Sequence, residues 1–269
     1  MGEPLRATLV DIGVNLAHAS FRSDREQVID RAAAAGVAAM VITGTSEKSS
    51  KEAQALAQRR PGALHATAGV HPHHAKDCTE ATLDVLRDLA GSPGVVAIGE
   101  CGLDYNRDFS PRPLQDRWFE AQLALAADLG LPVFLHERDA HDRFAGILRE
   151  HRGKIRAAVI HCFTGSERDL DVYLDLDLHI GITGWICDER RGKHLRGLVP
   201  RVPQDRLMLE TDAPFLAPRD MKPRPSRNEP AFLPHVLEAV AAACERPADE
   251  VARATTATAC AFFRITIGE

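Results

Sequence analysis

The chain has 269 residues and a net charge of −5, a length that suits one large α/β barrel or two small domains; no compositional break marks a linker, so a single domain over 1–269 is expected. The acidic balance argues against a protein that wraps nucleic acid over its whole surface, yet residues 186–227 hold ten Lys or Arg against six Asp or Glu, which on charge alone reads equally as an anion-facing patch or a solvated loop surface. The six cysteines show no Cys-x-x-Cys spacing, so neither a disulfide framework nor a structural zinc cluster is expected, and no apolar run reaches the roughly 18 residues of a membrane span; a reducing cytoplasm fits best.

In chain order, TLVDIGVN, AAMVITG, LHATAGVH, VVAIGECG, PVFLHE, AAVIHC, HIGITG and LMLETD are apolar segments rich in β-formers. They lack a polar solvent face, as strands buried on both sides of a parallel sheet do. The first carries Asp11, Gly13 and Asn15 on alternate positions, so the three share one strand face. Between the segments lie amphipathic stretches such as REQVIDRAAAAG, TEATLDVLRDLAG and LQDRWFEAQLALAADLG, each closing on a glycine suited to a helix end. Eight strand–helix units in about 250 residues predict a (β/α)8 TIM barrel. A doubly wound open sheet is the rival, weakened by the lack of Gly-x-Gly-x-x-Gly after the first strand.

Read toward their C-terminal ends, these segments bring Asp11 and Asn15, Thr43, His71, Glu100, His136, His161, Gly184, Glu210 and Asp212. In a barrel such ends meet on one face, where active sites are built. A single strand-end histidine is more often a core residue satisfied by backbone. Several acids and imidazoles together are different, because burying them unpaired costs about several kcal/mol unless a cation or proton compensates. Glu100 and Asp212 offer hard oxygens and His136 and His161 imidazoles, a mixed set suited to Mg²⁺, Mn²⁺ or Zn²⁺. Cys101 and Cys162 directly follow Glu100 and His161, and strand alternation turns them away as packing residues.

The segments DIGVNL, ITGT, TAGVHPH, VVAIGECGLDYNRDF, LPVFLHERDA, VIHCFTG, IGITGWICDERRG, LETDAPFL and RNEPAFLPH resemble those of the TatD family of metal-dependent deoxyribonucleases, within the amidohydrolase-like barrel group. The likeness covers nearly the whole chain. It implies metal ligands at Glu100, His136, His161 and Asp212, with His71 beside them as a partner either of phosphate or of the ligands themselves. Glu210 shares its strand face with Asp212 and is a further candidate for the metal shell. Many relatives in the larger group begin with Asp-x-His-x-His, where this chain has Asp11, Gly13 and Asn15. One loosely held cation, Mg²⁺ in first place, is therefore expected in the free protein, with room at Asn15 for substrate oxygens.

The resemblance implies hydrolysis of DNA phosphodiesters, chiefly by trimming single strands from the 3′ end, and a link to DNA repair or fragmentation. The chemistry of the residues agrees. A cation lowers the pKa of a coordinated water and neutralises charge on phosphoryl oxygens, Glu100 anchors it, and Asp212 or Glu210 accepts the water's proton. Arg190, Arg191 and Lys193 after the seventh segment, and Arg219, Lys222, Arg224 and Arg227 after the eighth, are placed to hold the substrate backbone. Phe109, Trp185 and Phe215 are stacking platforms for bases or, in the plainer reading, loop packing. The expected partner is DNA, single-stranded by preference, with RNA left open, and the expected state is a monomer away from membranes. One rival keeps barrel and metal but takes a small amide, lactone or phosphotriester; another is a binding scaffold with a decayed site.

Overall fold

The structure, a computed structural model, describes residues 8–267. All eight apolar segments form strands: β1 (Leu9–Val14), β2 (Val37–Ile42), β3 (Leu64–Ala68), β4 (Val95–Asp104), β5 (Val133–Arg138), β6 (Ala158–Ile160), β7 (His179–Ile182) and β8 (Leu207–Leu209). They make one eight-stranded sheet whose order follows the chain from β1 to β8. The ladders β3–β4, β4–β5, β5–β6 and β7–β8 are parallel. Between strands run α1 (Arg25–Ala34), α2 (Glu47–Ala57), α3 (Glu80–Ala90), α4 (Arg112–Leu129), α5 (His141–His151), α6 (Glu167–Asp175) and α7 (Leu195–Leu198), followed after β8 by α8 (Leu233–Ala243) and α9 (Ala248–Phe263). The fold is the (β/α)8 TIM barrel that the segment pattern predicts. Every residue of β1, β3 and β8 is buried, as strands covered on both faces require.

The expected glycine helix ends are met in part. Gly130 closes α4 in the left-handed region at φ 63°, whereas Gly91 closes α3 while still right-handed at φ −77°. Helices α2 and α3 begin on capping boxes, Ser46 with Ser49 and Thr79 with Thr82.

Contacts group the chain into two units. Among the described residues the first comprises 8–41, Cys162–Glu167 and 180–267. In it α9 packs on β1 and β8, and α8 packs on α9; Ile12, Val14, Met208, Leu237 and Val240 are among its buried residues. The second holds Ile42–His161 and Arg168–His179. Its core includes Phe134, Leu135 and Ile147, with Phe119 and Phe144 stacked at 5.0 Å between ring centres. Each such side chain contributes about 1.5–3 kcal/mol by leaving water. Among the described residues no helix is long and apolar enough to cross a membrane.

Candidate active site

Strand β4 sets the position of Glu100 by breaking register. Gly99 lies opposite Phe134 and Cys101 opposite Leu135, so Glu100 is an extra residue with no partner in β5. Such a bulge re-aims the side chain it carries. Glu100 instead donates its N–H to the Gly44 carbonyl at 2.7 Å. The irregular stretch depends on Gly102, at φ 145°, where a Cβ would lie 1.8 Å from the His136 carbonyl oxygen.

Around Glu100, in the second unit, three imidazoles converge on one oxygen. Glu100 Oε1 is 3.0 Å from His136 Nδ1, 3.0 Å from His161 Nε2 and 3.3 Å from His71 Nε2. All but His136, which is partly buried, are buried by whole-residue exposure. Burial opposes charge on Glu100, but His161, His71 and the hydrogen bonds from His136 and His161 outweigh it and hold the carboxyl well below its usual range. His136 also faces Asp104 Oδ2 at 3.7 Å across Nε2, an atom buried without a hydrogen-bond partner. Burial disfavours the imidazolium, but Asp104 and Glu100 together outweigh it and raise the ring's pKa.

This arrangement fits a divalent cation. Three nitrogens crowd one oxygen that has two lone pairs, and a cation between Glu100 and Asp104 would offset the charge of both carboxylates. His136 ligating through Nδ1 would leave Nε2–H for Asp104, the carboxylate–histidine pairing usual behind metal ligands. His71 behaves differently although it lies close enough to ligate. Its Nδ1 accepts the His73 backbone N–H at 3.1 Å, and burial above all lowers its pKa to about 4. The neutral ring therefore carries its proton on Nε2 and donates from that atom.

Helix α4 grips the strand ends that bear these groups. Gln122 accepts the Val70 N–H at 2.7 Å and donates to the Val70 carbonyl at 3.1 Å, beside His71. Gln115 accepts the Asp104 N–H at 2.9 Å and donates to the Asp104 and Ser110 carbonyls. Both glutamines are 1% exposed.

The first unit holds the remaining acids. Asn15 Nδ2 donates to Asp212 Oδ1 at 2.9 Å, so Asn15 fixes the orientation of Asp212. Glu210, fully buried, accepts the Cys162 N–H. Asp11 ties β1 to the end of β8, accepting from Gly13 N–H at 3.2 Å, Thr211 N–H at 3.0 Å and the Thr211 hydroxyl at 2.5 Å. Burial pushes its pKa up to about 7 against those bonds, with the Glu210 charge adding to the rise.

The basic residues divide. Arg190 and Arg191 are exposed and flank buried Asp188, with Arg191 also 4.4 Å over the Trp185 ring. Arg224 is exposed. Arg227, expected to hold substrate, is instead engaged within the protein. It donates to Asp24 at 3.0 and 2.7 Å, to Glu229 at 2.7 Å and to the Ser20 carbonyl, and lies 4.6 Å over Phe21. Its forked donors match a pair of carboxylates, which places it in the scaffold. Phe109 and Phe215 are 57% and 48% exposed, and Phe109 meets His73 edge-on at 4.7 Å.

The TatD related DNase family matches residues 10–264 of this sequence. The chain belongs to the TatD family. It is 53% identical over 259 residues to the 3′-5′ ssDNA/RNA exonuclease TatD of Pantoea vagans, covering 96% of this chain and 100% of that one. It is 57% identical over 235 residues to the protein of that description in Pantoea sp. At-9b, covering 87% and 90%. Among solved structures, a TatD homologue from Escherichia coli superposes with a TM-score of 0.88 at 30% identity, covering 96% of this chain and 98% of that one.

Two members of the cluster escape a reading of strand ends alone. His73 Nε2 lies 2.6 Å from Asp104 Oδ2, and Asp104 also accepts the Asn106 and Arg107 N–H groups. Burial opposes its charge, but His136, His73 and the Arg107 N–H keep it far below the usual carboxylate range. The signal for both lies in motifs that mark the TatD family. GVHPH has a second histidine, and GECGLD ends on an acid that alternation returns toward the side of Glu100.

Proposed function

We propose that this chain is a metal-dependent 3′-5′ exonuclease acting on phosphodiesters of single-stranded DNA, working as one barrel domain over 1–269. The observation that carries the reading is the meeting of His71, His136 and His161 on a single oxygen of Glu100. The nucleic-acid substrate is carried over from relatives named as single-stranded DNA and RNA exonucleases.

Glu100, His136 and His161 would hold the cation, and Asp212 joins them on the resemblance of LETDAP. Mg²⁺ suits the hard oxygens and the phosphate substrate. A bound divalent cation supplies acidity to a water and offsets charge on the phosphoryl oxygens. His71 donates Nε2–H to a phosphate oxygen, held in that tautomer by the His73 N–H. Asp212, oriented by Asn15, or Glu210 takes the proton of the attacking water. Arg190, Arg191 and Arg224 neutralise the flanking backbone, and Phe109 offers a ring on which a base stacks. A monomer in the cytoplasm serving DNA repair or fragmentation belongs to the same reading.

Labelled single-stranded oligonucleotides with one end blocked, incubated with Mg²⁺, test it. Release of nucleotides from a free 3′ end, lost when that end is blocked, is the expected result, with RNA run in parallel. Intact oligonucleotide under Mg²⁺ and Mn²⁺, or turnover of small amides or phosphotriesters alone, overturns it.

A further inference from the structure

The first unit contains a second convergence of ligand atoms that shares no residue with the Glu100 cluster. Cys187 ends the short turn Gly184–Cys187 after β7, Asp220 lies in the loop after β8, and His235 sits in the first turn of α8. One ligand atom from each of the three lies within 4.8 Å of the other two. His235 Nε2 is 2.8 Å from Asp220 Oδ1. A tetrahedral zinc ion, with Zn–S about 2.3 Å and Zn–N or Zn–O about 2.0–2.2 Å, spaces its ligand atoms roughly 3.3–3.8 Å apart, and the set brackets that spacing.

The chemistry selects the metal. A soft sulfur with an imidazole and a carboxylate favours Zn²⁺ over Mg²⁺, which takes oxygens. The sulfur is buried at 1% exposure, while the Asp220 and His235 side chains are 44% and 35% exposed. The group is therefore closed on the protein side and open on the other, which leaves a position for water. Without a metal, the buried thiol lies beside the His235–Asp220 pair and is hydrogen-bonded to Asp220. Burial, then the Asp220 carboxylate, pushes the thiol up to about 12, with Arg196 only partly opposing. A dication would take the place of the thiol proton, so that the sulfur, the carboxylate and the imidazole share one ion.

We propose that Cys187, Asp220 and His235 form a zinc site that fastens the loops after β7 and β8 to helix α8. Both loops carry exposed cations. Arg190 and Arg191 lie three and four residues after Cys187, and Lys222 and Arg224 lie two and four after Asp220. The ion thus sets how firmly two basic segments are presented, and the site stands whether or not the chain cuts DNA.

The test uses the full chain stripped of metal and titrated with Co²⁺ alone, whose thiolate charge-transfer absorption in the near ultraviolet reports sulfur ligation. The expected result is one such Co²⁺ per chain, displaced by added Zn²⁺. The band survives in Glu100→Gln, disappears in Cys187→Ser, and needs at least tenfold more Co²⁺ in Asp220→Asn and His235→Gln. Circular dichroism checks that Cys187→Ser is folded; if it is not, the two half-exposed positions decide. A band absent from the wild-type chain, lost in Glu100→Gln, retained in folded Cys187→Ser, or unmoved by both Asp220→Asn and His235→Gln overturns the proposal.

Discussion

At the scale of single residues, proton positions separate ligands from donors. On the proposed reading Glu100 is a negative ligand and not a packing group, so Glu100→Gln should lower hydrolysis by on the order of 10³-fold or more with Tm unchanged, about 4 kcal/mol of barrier. Wild-type turnover in that variant would remove Glu100 from the site. His71 carries its proton toward Glu100. His71→Ala should therefore lower kcat by about 10²-fold while calorimetric cation stoichiometry stays at the wild-type value, whereas His136→Ala should reduce the cation bound. Asp11 makes a separate prediction. Its folded pKa is raised from 3.8 to about 7, so the folded state binds the extra proton and stability is greatest below about pH 4. It falls as pH rises from about 4 to about 7. In Asp11→Asn the amide can donate to the Thr211 hydroxyl while its carbonyl accepts the Gly13 and Thr211 N–H groups. That variant should fold and lose this contribution to the pH slope, read from denaturant midpoints across the range.

Elements position those residues through two devices, a bulge in β4 and a pair of glutamines on α4. Gln115 and Gln122 lie seven apart on one helix face and satisfy backbone groups next to Asp104 and His71. Gln122→Leu strands the Val70 N–H and carbonyl in the interior, so about 2–4 kcal/mol of stability should be lost, with kcat falling more than KM rises. Gly102 sits where a side chain meets the His136 carbonyl at φ 145°. Gly102→Ala should cost about 3 kcal/mol or more, seen as a lower thermal midpoint. A tolerated alanine would show that β4 can relax there.

Across the whole molecule, the acidic net charge conceals cations with different duties. Arg190 and Arg224 are exposed while Arg227 is paired with Asp24 and Glu229. Replacing Arg190 and Arg224 together should raise KM for oligonucleotides and flatten the salt dependence of binding by about 0.7 in the logarithmic slope per lost phosphate contact. Arg227→Ala should instead lower Tm by a few degrees, about the size of a lost ion-pair and ring contact, and leave that slope alone. A changed slope in Arg227→Ala would return that residue to the substrate.

Much of this protein was readable from the chain itself. Alternating apolar segments and helices determine the barrel, because strands buried on both faces must be apolar throughout and parallel strands need crossovers. The ordered motifs GECGLD, HCFTG and LETDAP mark the residues at strand ends as chemically committed, since buried acids and imidazoles are expensive without a partner. Side-chain contacts between distant parts of the chain were not readable, because they depend on packing. Arg227 looks like its basic neighbours in sequence, and only the placement of Asp24 and Glu229 beside it makes it scaffold. His71 differs from His136 in that its Nδ1 accepts a backbone N–H, a matter of one turn's geometry. Cys187, Asp220 and His235 follow no ligand spacing along the chain. The turn after β7, the loop after β8 and the start of α8 bring them within 4.8 Å, where folding rather than sequence distance decides which groups share a charge.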